Sequence, residues 1–177
     1  VSVRGYNRAG VYTTATSGGA LYETTPPVAG VVRVEAEGGM AARYVNASGR
    51  LHIVWDLFDD AETSPLAYSY SLCLMEDQAS CLTNGIAVGN ATDIWSAAWE
   101  LLHGSEYQIL VRAVNGAGLI TDVFSSSIIA DQTAPVPGTV IETVSDSQTD
   151  LNFMNGSSDI VVAWRGFHDP ESSVESY

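Results

Sequence analysis

Three histidines, two cysteines and a group of loop carboxylates are the residues of this 177-residue chain with the chemistry to form a site. The histidines are His52, His103 and His168. None stands with a serine or cysteine in a nucleophile-elbow setting, and no glycine-rich phosphate loop is present. The residues therefore read as non-catalytic and cofactor-free. Cys73 and Cys81 lie eight apart. With no second Cys or His pair close by, they do not fit a zinc site. A small disulfide loop, stabilising by about 2–3 kcal/mol, is the natural reading, and two buried or free thiols are the alternative. Asp59, Asp60 and Glu62 share a loop at residues 58–64. Loop carboxylates two apart can hold calcium, which needs six to eight oxygens at one point. The plainer reading is turn capping by Asp and solvation by Glu, and no metal site is assigned. Asn46, Asn90 and Asn155 each open an Asn-x-Ser/Thr triplet, so N-linked glycans on surface loops are expected of a secreted chain.

The charge balance narrows the partners. Twenty-one acids face seven bases, a net charge of −14. Nucleic-acid recognition wants a basic patch, and anionic membrane surfaces want the same. No apolar run reaches the roughly 18–20 residues of a membrane span. The chain opens without a Met or a signal peptide, and reads as a window cut from something longer.

The elements that hold these residues repeat. VRGYNRAG at residues 3–10 matches VRAVNGAG at residues 111–118, an offset of 108. The match runs on through TTPPVAG (24–30) and QTAPVPG (132–138). It shifts to 109 for WDLFDDAETS (55–64) against WRGFHDPESS (164–173). A one-residue slip over so long a match is the mark of tandem duplication. The period is that of one sandwich domain rather than a solenoid unit. The expected units are residues 1–25, the last strands of one domain; 26–133, a complete domain; and 134–177, the first strands of a third. Proline between the units removes backbone donors and stiffens the joints.

Alternation locates the strands. Tyr107, Ile109, Val111 and Ala113 share one face of a strand, and Gln108, Leu110, Arg112 and Val114 the other. Leu51, Ile53 and Trp55 share a face of an earlier strand, with Trp55 as core. In YSYSLCL (68–74), Tyr68, Tyr70, Leu72 and Leu74 face one side and Cys73 the other, away from the core. Residues 31–36 alternate as a first strand, and residues 37–46 read as a long connection. Within 86–102, Trp95 and Trp99 fit a strand better than a helix and are expected in the core. Residues 119–131 form the last strand region.

LHGSEYQILVRAVNGAG closely resembles the F strand and following turn of a fibronectin type III (FN3) domain, with Tyr107 placed to form a tyrosine corner. Residues 51–55 take the place of strand B and residues 107–114 that of strand F, and the absence of Cys from both favours FN3 over the immunoglobulin type. The resemblance implies an all-β chain of tandem Greek-key β-sandwiches, fibronectin type III-like or Ig-like. It also implies an extracellular or cell-surface glycoprotein, structural or adhesive, whose partners are adjacent repeats and further copies in a filament. A ligand-binding receptor ectodomain, or an FN3 spacer of a secreted carbohydrate-active enzyme, is the alternative.

Overall fold

The computed structural model describes the chain except residues 37, 38, 47, 78, 79, 144–149, 154, 155, 157–160, 175 and 177, and the side chain of Asp77. It is nearly all β, and among the described residues the one helical piece is a 3₁₀ turn at Met75–Asp77. The strands are β1 (Ser2–Tyr6), β2 (Tyr12–Thr16), β3 (Val32–Glu35), β4 (Tyr44–Asn46), β5 (Arg50–Trp55), β6 (Ala67–Leu74), β7 (Ile86–Gly89), β8 (Asp93–Ala98), β9 (Glu106–Val114), β10 (Ile120–Phe124), β11 (Ile128–Asp131), β12 (Thr139–Thr143) and β13 (Val161–Arg165).

β3 to β11 make a sandwich-like body of two sheets. One runs β3-β5-β8, and the other β4-β11-β9-β6-β7 with β10 also beside β9. The alternating faces meet between them. Val32, Val34, Leu51, Ile53 and Trp55 pack in one buried cluster with Tyr68, Tyr70, Leu72, Ile109, Val111 and Ala113. Tyr107 is buried as well, and its hydroxyl accepts the Leu102 N–H at 2.8 Å, the corner that its position at the strand start predicts. Tyr68 does the same for the Phe58 N–H at 3.1 Å. β1 and β2 form a separate antiparallel hairpin, and β12 and β13 a separate pair.

Two buried serines mend the ladder where it breaks. Arg50 pairs with Ala98 while His52 pairs with Trp95, so β8 takes three steps where β5 takes two. At this bulge Ser96 is fully buried. Its Oγ accepts the Leu51 N–H at 2.9 Å and donates to the Ala97 carbonyl at 2.7 Å. Between β10 and β11, Ser125 repeats the device, accepting the Ile109 N–H at 3.0 Å and donating to the Ser126 carbonyl at 2.8 Å. A buried N–H left without such a partner costs about 1–3 kcal/mol.

The bulge corrects one expectation. A strand with strict alternation would put Trp95 and Trp99 on one face. The extra residue in β8 reverses the parity. Ser96 points inward before it, and Trp99 and Leu101 pack inward after it, while Trp95 is 58% exposed. The connection expected over 37–46 also contains a strand: β4 runs parallel to β11, pairing Tyr44 with Ile129 and Asn46 with Asp131.

Candidate functional site

The acidic loops and their polar partners collect at two joints, beside the proline stretches, whereas the cysteines and His52 lie elsewhere. The acidic loop after β5 is shaped by Asp60. Its Oδ1 accepts the N–H groups of Glu62 at 3.1 Å and Thr63 at 2.7 Å. Loops that lack a regular ladder are closed by an Asp side chain in this way. The loop then meets the turn after β9. Asn115, 6% exposed, folds that turn with its Oδ1, which accepts from Ala117 at 3.1 Å and Leu119 at 2.8 Å. Its amide nitrogen faces the other way and donates to Asp60 Oδ2 at 3.3 Å, to the Thr25 carbonyl at 3.0 Å and to Glu23 Oε1. Thr63 Oγ1 donates to Glu23 Oε2 at 2.9 Å and accepts the Gly116 N–H at 3.2 Å. Thr121 adds a hydroxyl to the Pro27 carbonyl at 2.5 Å. One amide thus ties the linker, the acidic loop and the β9–β10 turn together.

Gly30 lets the linker come this close. A Cβ there would sit 2.3 Å from the Asp56 carbonyl oxygen, and Gly138 repeats the contact at 2.1 Å from the Arg165 carbonyl.

The second joint has the same parts. Asp169 Oδ1 accepts from Glu171 N at 3.1 Å and Ser172 N at 2.8 Å. Asp131 stands where Glu23 stands in the first joint, and accepts from the Thr133 N–H at 2.9 Å. Thr133 Oγ1 lies 3.2 Å from Glu171 Oε2. A residue of the β8–β9 turn joins them here. His103 Nδ1 accepts the Gln132 N–H at 3.2 Å, and its Nε2 lies 3.5 Å from Glu171 Oε1. Asp169 Oδ2, the counterpart of the oxygen bound by Asn115, is buried without a hydrogen-bond partner.

These contacts set the acidity of the joints. Burial pushes the Asp60 carboxyl up, but the Thr63 N–H, the Asn115 amide and the Glu62 N–H outweigh it, and its pKa falls below the usual value. The Asp131 carboxyl is also lowered, first by the Thr133 N–H, then by the Ser172 hydroxyl, with His103 adding a little. Both carboxylates are held as anions by donors.

The three loop acids, read first as turn formers and only second as calcium ligands, have different surroundings. Asp59 engages Val28 through its backbone, its N–H donating at 3.1 Å and its carbonyl accepting at 2.7 Å. The carboxylates that converge within 4.8 Å are Glu23, Asp60 and Glu62. The Asp60 and Glu23 oxygens are engaged by N–H and O–H donors, so the group works as a hydrogen-bonded joint. Glu23 lies 92 residues from Asn115, and no local pattern announces it.

Cys73 and Cys81 form the disulfide. Cys73 lies outside the core cluster, on the outer face of β6, yet it is only 1% exposed. Residues 81–85 fold back over it, with Leu82 N–H to the Leu72 carbonyl at 2.7 Å and Gly85 N–H to Ser71 Oγ at 2.9 Å. A cavity of about 380 Å³ lies beside it, lined by Ser69, Ser71, Thr83 and Arg112 among others. Arg112 is held by a bidentate pair with Asp122, both bonds 2.7 Å.

Of the triplet asparagines, Asn46 and Asn90 are exposed, and Asn155 lies outside the described residues. Asn46 Oδ1 accepts both the N–H and the hydroxyl of Ser48, at 3.1 and 3.0 Å. Asn90 sits in the turn between β7 and β8. The histidines stay apart: His52 on β5, His103 at the second joint, and the exposed His168 bridged to Val136 through the backbone. Among the described residues, no helix is long and apolar enough to cross a membrane. Comparison with protein-family models, with curated proteins and with solved structures found no match.

Proposed function

We propose that this chain is a stretch of a non-catalytic structural repeat protein of the extracellular space. In this reading residues 1–25, 26–133 and 134–177 belong to three successive FN3-like sandwiches. Their joints are stiffened by proline and by side-chain hydrogen bonds, giving a rod that packs into a surface filament. N-linked glycans at Asn46, Asn90 and Asn155 would cover its sides.

The observation that carries this reading is the repetition of one joint. Glu23, Thr25, Gly30, Asp60 and Thr63 recur as Asp131, Thr133, Gly138, Asp169 and Ser172, with the same turn of backbone donors around each Asp. A chain selected for one binding loop has no need to repeat its linkers. The strand order supports the FN3 form: β7 lies beside β6, whereas a constant-type immunoglobulin domain places its fourth strand beside the equivalent of β8. The disulfide favours an oxidising compartment.

Electron microscopy of native material tests the proposal. Filaments or rods with an axial repeat of roughly 35–40 Å per sandwich, from strands rising about 3.3 Å per residue plus loops, are expected. Particles dominated by a globular head, with this chain as a short flexible tether, would overturn it in favour of a receptor or an enzyme spacer.

A further inference from the structure

The face of β3-β5-β8 turned away from the core carries Arg33, Glu35, Arg50, His52, Asp93 and Trp95. Trp95 is its centre. The indole is 58% exposed and lies parallel to the His52 ring, 4.6 Å between centroids and 11° between planes. His52 is itself fixed: its Nε2 stands 2.7 Å from Asp93 Oδ1 and its Nδ1 3.7 Å from Glu35 Oε2. The indole is thus held flat on a rigid ring instead of swinging on a loop.

The fold does not ask for this arrangement. By the repeat, Ile141, Thr143 and Val161 take the places of Arg33, Glu35 and His52 in the following unit. There Ile141 and Thr143 are buried. Val161 is 41% exposed, and none of the three repeats the charged and aromatic character of Arg33, Glu35 and His52. The bulge at Ser96 brings Trp95 to that open face, and a large apolar ring left in water costs the chain solvation that another residue would avoid.

We propose that this face binds a neutral pyranoside chain, with Trp95 as its platform. The C–H face of a pyranose ring presents an apolar disc that matches an exposed indole. Its equatorial hydroxyls radiate in the plane of the disc, where Glu35 and Asp93 offer carboxylate acceptors and Arg33 offers N–H donors. The acids beside the ring already have partners: Arg33 pairs with Asp56 at 2.9 Å, and His52 stands 2.7 Å from Asp93 and 3.7 Å from Glu35. Arg33 and Arg50 against Glu35, Asp56 and Asp93 leave a surplus of one acid, so a cation drawn to the ring is the competing guest that the test must exclude. This inference stands apart from the filament reading, since a rod and a receptor could each carry such a face.

The test is calorimetry and tryptophan fluorescence of the 177-residue chain with three named probes: chitotriose, cellotriose and xylotriose. At least one should bind saturably. Trp95→Ala should abolish that binding with the chain still folded and only a small drop in melting temperature, because the ring is more exposed than covered. Trp95→Tyr, which keeps a platform and guards against a folding artefact, should bind within about tenfold of the parent. His52→Ala should weaken binding about tenfold by freeing the indole. Absence of saturable binding to all three probes would overturn the proposal, as would undiminished binding by Trp95→Ala. Saturable binding of hexalysine at Trp95 in place of the sugars would mark a cation site and equally overturn it.

Discussion

The turns at residues 7–11 and 115–119 are built alike and used differently. In each, the Asn Oδ1 accepts two backbone N–H groups, from Ala9 and Val11 or from Ala117 and Leu119. In each, a Gly four residues into the turn has a φ near +80°, a conformation L side chains rarely adopt. The hairpin around Asn7 is exposed on every residue, whereas Asn115 is 6% exposed and its amide grips a linker and a loop. The Asn-x-Ala-Gly turn is therefore a local object. It becomes a joint only when a linker acid and a loop Asp come to meet it.

The largest effect expected from breaking that meeting is at Gly30. Gly30→Ala would drive a methyl against the Asp56 carbonyl, where neither neighbour is a flexible side-chain end. It should destabilise by about 3 kcal/mol in urea unfolding. Asn115→Ala comes next, at about 2–3 kcal/mol. It removes an acceptor for two N–H groups and leaves Glu23 and Asp60 facing each other without the amide between them. Asn7→Ala, the same substitution in the undocked turn, should cost about 1 kcal/mol or less. Equal losses at the two asparagines would show that the turn alone carries the energy.

Acid should sharpen the same contrast with a smaller effect. Asp60 and Asp131 have folded pKa values below the usual carboxylate range. A carboxyl that binds protons more weakly in the folded state contributes its stability in full above the unfolded value, about 3.9. That contribution is lost as pH falls below about 4 through the depressed folded values. The melting temperature should therefore drop with acid below pH 4, and Asp60→Asn should flatten the slope. An unchanged slope in Asp60→Asn would remove Asp60 from the joint.

Much of the body is legible in the sequence because its signals are local. β9 alternates over its whole length and delivers Tyr107, Ile109, Val111 and Ala113 to the core as read. β5, β6 and the disulfide follow the same way. Trp95 defeats the reading because a single bulged residue inverts every side chain beyond it, and nothing in SAA marks a bulge in advance. β4 is three residues of parallel edge strand, too short for alternation to speak. The joint is legible only in half. Asp60 is visible as a turn former, but its partners Glu23, Thr25 and Asn115 are brought in by the fold from distant stretches of chain. The repeat hints at them, since Asp131, Thr133 and Asp169 recur at the second joint, yet recurrence alone does not say what they touch.

Asn115 bridges the linker, the acidic loop and the β9–β10 turn, and this bridge is expected to hold the hairpin and the body at one angle. Pulsed electron–electron resonance between spin labels at Thr14→Cys and Ala98→Cys, both exposed positions, reads the angle between hairpin and body. One narrow distance distribution is expected in the parent chain, broadened by Asn115→Ala with the body still folded. A broad distribution in the parent, or one that Asn115→Ala leaves unchanged, would contradict it.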